Sequence, residues 1–107
     1  MTINETQDEI IEEFTALDDW MDRYQMLIDL GEEQAPLADA DKTEQNLIDG
    51  CQSRVWIVCE EKDGKLHFRA DSDALIVKGL VALVLQVVND HRPDEIYAAD
   101  LYFIERI

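Results

Sequence analysis

Ile10, Ile11, Phe14 and Leu17 recur at helical spacing between the acids Glu9, Glu12 and Glu13. The stretch Asp8 to Leu17 is therefore expected to form an amphipathic helix with one apolar face. Trp20, Met21, Tyr24, Leu27 and Ile28 repeat that spacing. Asp18 or Asp19 precedes them as an acceptor for the free N–H groups of a first turn, and Gly31 is read as the end of this second helix. From Glu32 to Glu44 the chain contains Pro36 and few large apolar residues, which predicts a connecting loop.

The period then changes. Asn46-Leu47-Ile48 leads into Asp49-Gly50, a pair suited to a tight hairpin turn, and then into Ser53 to Glu60, rich in Val, Trp and Ile. A second pair, Asp63-Gly64, separates that strand from Lys65 to Ala70. The simplest assembly is a three-stranded antiparallel meander, with Cys51 just past its first turn at an end of the sheet. Asp71, Ser72 and Asp73 are cap candidates for a helix beginning after them. Ala74 to Asn89 is apolar on almost every side and too long for a strand, so it reads as a core helix. Pro93 suits the first turn of a short segment, Asp94 to Ala99, and Leu101 to Ile107 fits either a strand or the start of a helix. The class is α+β.

A chain of 107 residues, 47% apolar, has material for one domain with a mostly aliphatic core. The richest apolar window, Ala74 to Val88, is broken by Lys78, Gly79 and Gln86 and falls short of a membrane span. Met1 to Glu5 has neither the basic start nor the apolar run of a secretory signal, so a cytoplasmic location is expected. The formal charge of −16 is lopsided: residues 1 to 49 hold 15 acids against only Arg23 and Lys42. Such a field repels phosphate backbones and anionic membranes and attracts basic surfaces, so no nucleic-acid or membrane partner is expected. Taken singly, most of these carboxylates are solvated helix faces.

Two cysteines do not make a disulfide framework, and Cys51 and Cys59 lack Cys-x-x-Cys spacing. Cys59 alternates in phase with Val55 and Ile57, which favours packing. Eight residues of strand span roughly 26 Å, against about 7 Å between disulfide Cα atoms, so the two are not expected to pair. Cys51 has only Arg54 as a basic neighbour, and an acidic chain favours the protonated thiol. That suits an acceptor made reactive by a partner's site better than a free-standing nucleophile. A lone cysteine is commonly a small buried hydrophobe. Here Gly50 permits close approach of a partner's backbone, and Gln52 and Ser53 offer polar contacts beside the sulfur.

The run Asn46-Leu47-Ile48-Asp49-Gly50-Cys51-Gln52-Ser53-Arg54-Val55-Trp56, with Asp71-Ser72-Asp73 and Ile76-Val77-Lys78-Gly79-Leu80, closely resembles the SufE family of sulfur acceptors. Gly-Cys-Gln-Ser-x-Val-Trp is that family's signature, and the early Trp20 and Leu30-Gly31 agree with it from about residue 8 onward. The resemblance implies a single SufE-like domain over 1–107 with the SufE/IscU-like fold. It further implies that a SufS-like cysteine desulfurase, a pyridoxal-phosphate enzyme, passes persulfide sulfur to Cys51, that this stimulates the desulfurase, and that the sulfur moves on toward an iron–sulfur scaffold. The chain would then be a transfer accessory protein, not an enzyme. No cofactor or metal is expected on it, since the several ligands of cluster scaffolds have no counterpart here.

Cys51 is thus the expected reactive residue, with Gly50, Gln52, Ser53, Arg54 and Asp73 as expected partner contacts. Asp71 and Asp73 are read first as helix caps, Trp56 as core, and Lys78 as a local counter-charge. The family generally continues past the position of Ile107 with a helix bearing an arginine of the active face; the sequence stops before it, which is read either as truncation or as a member that lacks the element. A homodimer is compatible with the sequence. Two other readings stand beside the acceptor: a non-covalent adaptor that activates a partner by docking, and a peroxidatic thiol enzyme, which the distance to Cys59 disfavours.

Overall fold

The computed structural model describes residues 1–48 and 53–106, so the expected turn at Asp49-Gly50 and the residues Cys51 and Gln52 lie outside the described part. The chain opens with α1, Ile3–Thr15, which starts five residues before the expected Asp8. Its earlier start comes from Thr2, whose Oγ1 accepts the Glu5 N–H at 3.1 Å while Glu5 Oε1 accepts the Thr2 N–H at 3.0 Å. Helix α2, Trp20–Glu33, is capped by Asp19, whose Oδ1 accepts the Met21 N–H at 2.9 Å. Gly31 does not end it. It lies inside the helix where α2 crosses α3, Leu75–Val88, and a Cβ on Gly31 would stand 2.9 Å from the Gly79 nitrogen. The glycine serves close packing there.

Between α2 and the sheet, residues 34 to 48 form a connector with two 3-10 turns, Asp39–Asp41 and Glu44–Asn46. The sheet has two strands among the described residues, β1 (Val55–Lys62) and β2 (Lys65–Ser72), paired antiparallel from Val55 opposite Ser72 to Lys62 opposite Lys65. The third strand expected at Asn46 to Ile48 is corrected: those residues close a 3-10 turn and meet β1 only through the Leu47–Trp56 bridge and the Ile48 N–H to Val55 carbonyl bond of 2.9 Å. The second Asp-Gly pair does turn the hairpin, with φ of 56° at Asp63 and 79° at Gly64.

The free edge of β2 is closed by residues from outside the sheet. Leu66 exchanges hydrogen bonds with Asp90 and His91, the Asn89 side chain accepts from the Phe68 N–H and donates to its carbonyl, and Gln34 donates to the Ala70 carbonyl. Alternate residues of the strand are thus satisfied in turn, which removes a template for pairing with another chain. Helix α4, Pro93–Ala98, carries Pro93 at its first position as expected, and α5, Phe103–Arg106, takes the helical option at the end of the described chain.

The core is aliphatic with two phenylalanines: Ile10 and Phe14 of α1, Leu27 of α2, Leu83, Val87 and Val88 of α3, and Phe103 of α5. Gln7 is fully buried within it, donating to the Asp100 carbonyl and accepting from the Phe103 N–H, and so ties α1 to α5. Cys59 does not pack as expected. It is an exposed free thiol, because β1 from Cys59 onward runs out past the helices and every residue there is exposed. The result is an α+β fold with helices packed on a two-stranded sheet.

Candidate functional site

The end of the sheet where β1 begins and β2 finishes holds both flanks of residues 49–52. On the entering side, Ile48 is pinned to Val55 and Leu47 bridges to Trp56. On the leaving side, Arg54 and Asp73 hold each other through the backbone: the Arg54 N–H donates to Asp73 Oδ1 at 3.0 Å, and the Asp73 N–H donates to the Arg54 carbonyl at 3.2 Å. Ser72 Oγ donates to the same carbonyl at 2.8 Å. The described chain is thus held to the same end of the sheet just before position 49 and again at Arg54.

Of the residues expected to form the site, Ser53 is half-buried, and Arg54 and Asp73 are exposed and joined directly; Gly50, Cys51 and Gln52 are outside the described part. The capping role expected of Asp71 and Asp73 is corrected. Helix α3 starts after Ala74 with no side-chain cap, Asp73 is spent on Arg54, and Asp71 belongs to β2. Strand β2 runs two residues beyond Ala70, so Asp71 points from a strand instead of toward a helix end.

Asp71 is 3% exposed and is the only buried ionisable side chain among the described residues. Its Oδ1 accepts the Ser72 N–H at 2.8 Å and meets Lys78 Nζ at 3.3 Å; its Oδ2 accepts the Leu37 N–H at 3.2 Å and meets Lys42 Nζ at 3.5 Å. Burial alone would raise its pKa, but the Ser72 and Leu37 N–H groups and the Lys78 ammonium together hold the carboxyl below its ordinary value. Trp56 lies opposite Asp71 in the register and shares its face, and Lys42 also stands 5.6 Å from the Trp56 ring centroid. Trp56 is half-buried beneath this lysine, so it is part wall and part platform.

Sequence reasoning recognised Lys78 as a counter-charge but gave Lys42 no role and read Asp71 as a cap. One signal was available: an acid set between Ala70 and Ser72, directly after an alternating strand, continues that strand when basic partners can reach it. Among the described residues, no three His, Cys, Asp or Glu side chains converge to hold a metal ion, and no helix is long and apolar enough to cross a membrane.

Comparison with known proteins gives a consistent result. The profile of SufE, described as Fe-S metabolism associated domain, matches residues 8–107. An uncharacterized SufE-like protein of Rhizobium meliloti (strain 1021) is 40% identical over 97 residues, covering 87% of this chain and 69% of the relative. An uncharacterized SufE-like protein of Rhizobium etli is 42% identical over 101 residues, covering 91% of this chain and 68% of the relative.

Proposed function

Since the chain belongs to the SufE family, a domain associated with Fe-S metabolism, we propose that it accepts sulfur on Cys51 from a cysteine desulfurase and so stimulates that enzyme. The observation that carries this reading is the Gly50-Cys51-Gln52-Ser53-Arg54-Val55-Trp56 run, inside the matched region, with Ile48 held just ahead of it and Arg54 held within it.

The chemistry is thiol exchange. The Cys51 thiolate attacks the outer sulfur of the donor's persulfide, the donor's S–S bond breaks, and the donor leaves as a thiolate while Cys51 becomes the persulfide. No net oxidation occurs. The acceptor thiol needs only to be deprotonated, and the acidic charge of the chain leaves that to the partner's site. Arg54 and Asp73, both exposed and joined to each other, and Ser53 are the described residues that a docked desulfurase would meet first. A downstream acceptor thiolate then takes the outer sulfur, leaving the Cys51 thiolate, and the sulfur moves toward an iron–sulfur scaffold, in a cytoplasmic setting suited to free thiols.

The test is intact mass after incubation with desulfurase and cysteine. A gain of about 32 Da per sulfur, reversed by reductant and lost in Cys51→Ser, is the expected outcome. Stimulation of the desulfurase that survived Cys51→Ser intact would replace this reading with a non-covalent adaptor. Because Cys59 is an exposed free thiol, the same measurement in Cys59→Ser assigns the sulfur to its position.

A further inference from the structure

The connector from Gln34 to Ile48 has no regular structure beyond its two 3-10 turns, yet it delivers the chain to the residue before position 49. Something outside it must fix its path. Its last residues are tied to β1 by the Leu47–Trp56 bridge and the Ile48 N–H to Val55 carbonyl bond, and ahead of these its described polar ties to the sheet are Gln34 to the Ala70 carbonyl, Leu37 and Lys42 to Asp71, and the more exposed pair of Asp41 with Arg69. Two of these converge on a single carboxylate. That carboxylate is held from the other side by Lys78 of α3.

From this convergence we infer that Asp71 is a positioning residue for sulfur acceptance: it locks the connector to the sheet and to α3, and thereby sets where the chain enters the residues that bear Cys51. The inference rests on the acceptor reading above for its consequence, but not for its geometry. A buried carboxylate deprived of one counter-charge is poorly compensated, so the lock behaves as a unit and resists partial opening. Lys42 joins the two halves of the device. It pairs with Asp71 and lies over Trp56, and Trp56 is the residue that Leu47 bridges. The chain from Leu37 to Leu47 is thus registered against one face of β1 and β2. Asp73 secures the leaving side independently, through Arg54.

The experiment compares Asp71→Asn, Lys42→Met and Lys42→Arg, all in a Cys59→Ser background so that alkylation reports Cys51 alone. Two quantities are read well below each variant's melting temperature: the alkylation rate, and the concentration of this chain that half-saturates desulfurase stimulation, with its plateau. Asp71→Asn and Lys42→Met are expected to change the alkylation rate at least about threefold and to raise the half-saturating concentration about fivefold or more at an unchanged plateau; Lys42→Arg stays near wild type. A purely structural role would lower the melting temperature and leave both quantities alone, and that result overturns the inference. If Asp71→Asn does not fold, Lys42→Met carries the test, since Lys42 is about a third exposed (30%). Failure of the parent to gain sulfur would strike the acceptor reading, whereas wild-type alkylation in both variants would strike the lock.

Discussion

A carboxylate that is buried and still holds its proton weakly is a store of stability with a defined acid limit. Asp71 is such a group: its folded pKa lies below the ordinary value of 3.8 because the effect of burial is outweighed by two N–H groups and Lys78. The depressed value fixes the sign. The ionised form contributes stability above the unfolded pKa, and that contribution is lost as the pH falls through the folded one. Asp71→Asn is therefore expected to cost about 2 to 3 kcal/mol at pH 7, somewhat less than breaking a fully buried ion pair because both lysines retain some solvent. Denaturant melts should show that difference constant from neutral pH to about pH 5 and shrinking below about pH 4. A difference independent of pH would mean that shape, not charge, is what the residue supplies. Little of this is legible in the sequence. It shows acids next to an apolar run, which is what a helix cap looks like, and only the length of β2 decides that Asp71 belongs to the strand.

Elements whose limits are set by neighbours in sequence are legible there, whereas those set by contacts across the fold are not. Asp63-Gly64 and Pro93 encode a turn and a helix start in their own backbones, and both appear where expected. Gly31 looks like a terminator by the same logic, but its role depends on Gly79, about fifty residues away, and no local pattern reports that. The close crossing yields a clear expectation. A Cβ on Gly79 would stand 2.6 Å from the Leu27 carbonyl carbon and still closer to its oxygen. Both are backbone and cannot rotate aside, so Gly79→Ala should destabilise by about 3 kcal/mol, despite the better helix propensity of alanine, as read by thermal or urea unfolding. At the sheet edge, Asn89 imitates a neighbouring strand by bonding both backbone groups of Phe68, at 2.7 and 3.1 Å. Asn89→Ala would leave that N–H and carbonyl seeking other partners and is expected to cost about 1 to 2 kcal/mol. An unchanged urea midpoint would show that water replaces both bonds. The third strand expected before the first Asp-Gly pair belongs at this scale too: three apolar and polar residues there suit a strand, but among the described residues they meet β1 only through the bridge at Leu47 and the Ile48 to Val55 bond.

The whole molecule measures 39 by 29 by 24 Å and carries a formal charge of −16. These two facts determine how salt acts on it. At 0.01 M ionic strength the screening length is about 30 Å, comparable with the molecule, so nearly every carboxylate repels every other; at 0.15 M it is about 8 Å and only neighbours interact. Unfolding relieves this repulsion, so added salt should stabilise the fold and raise the melting temperature by several degrees over that range, roughly the effect of 1 kcal/mol in a domain of this size. Association with a basic partner should move the other way, its rate falling steeply over the same interval as steering is screened. The Asp71 lock provides an internal reference, because a carboxylate only 3% exposed is screened far less than surface charges. The stability gap between parent and Asp71→Asn should therefore stay nearly constant while both melting temperatures climb. If the gap closed with salt, the lock would be behaving as a surface ion pair, and its hold on the connector would be too weak to place the chain ahead of Cys51.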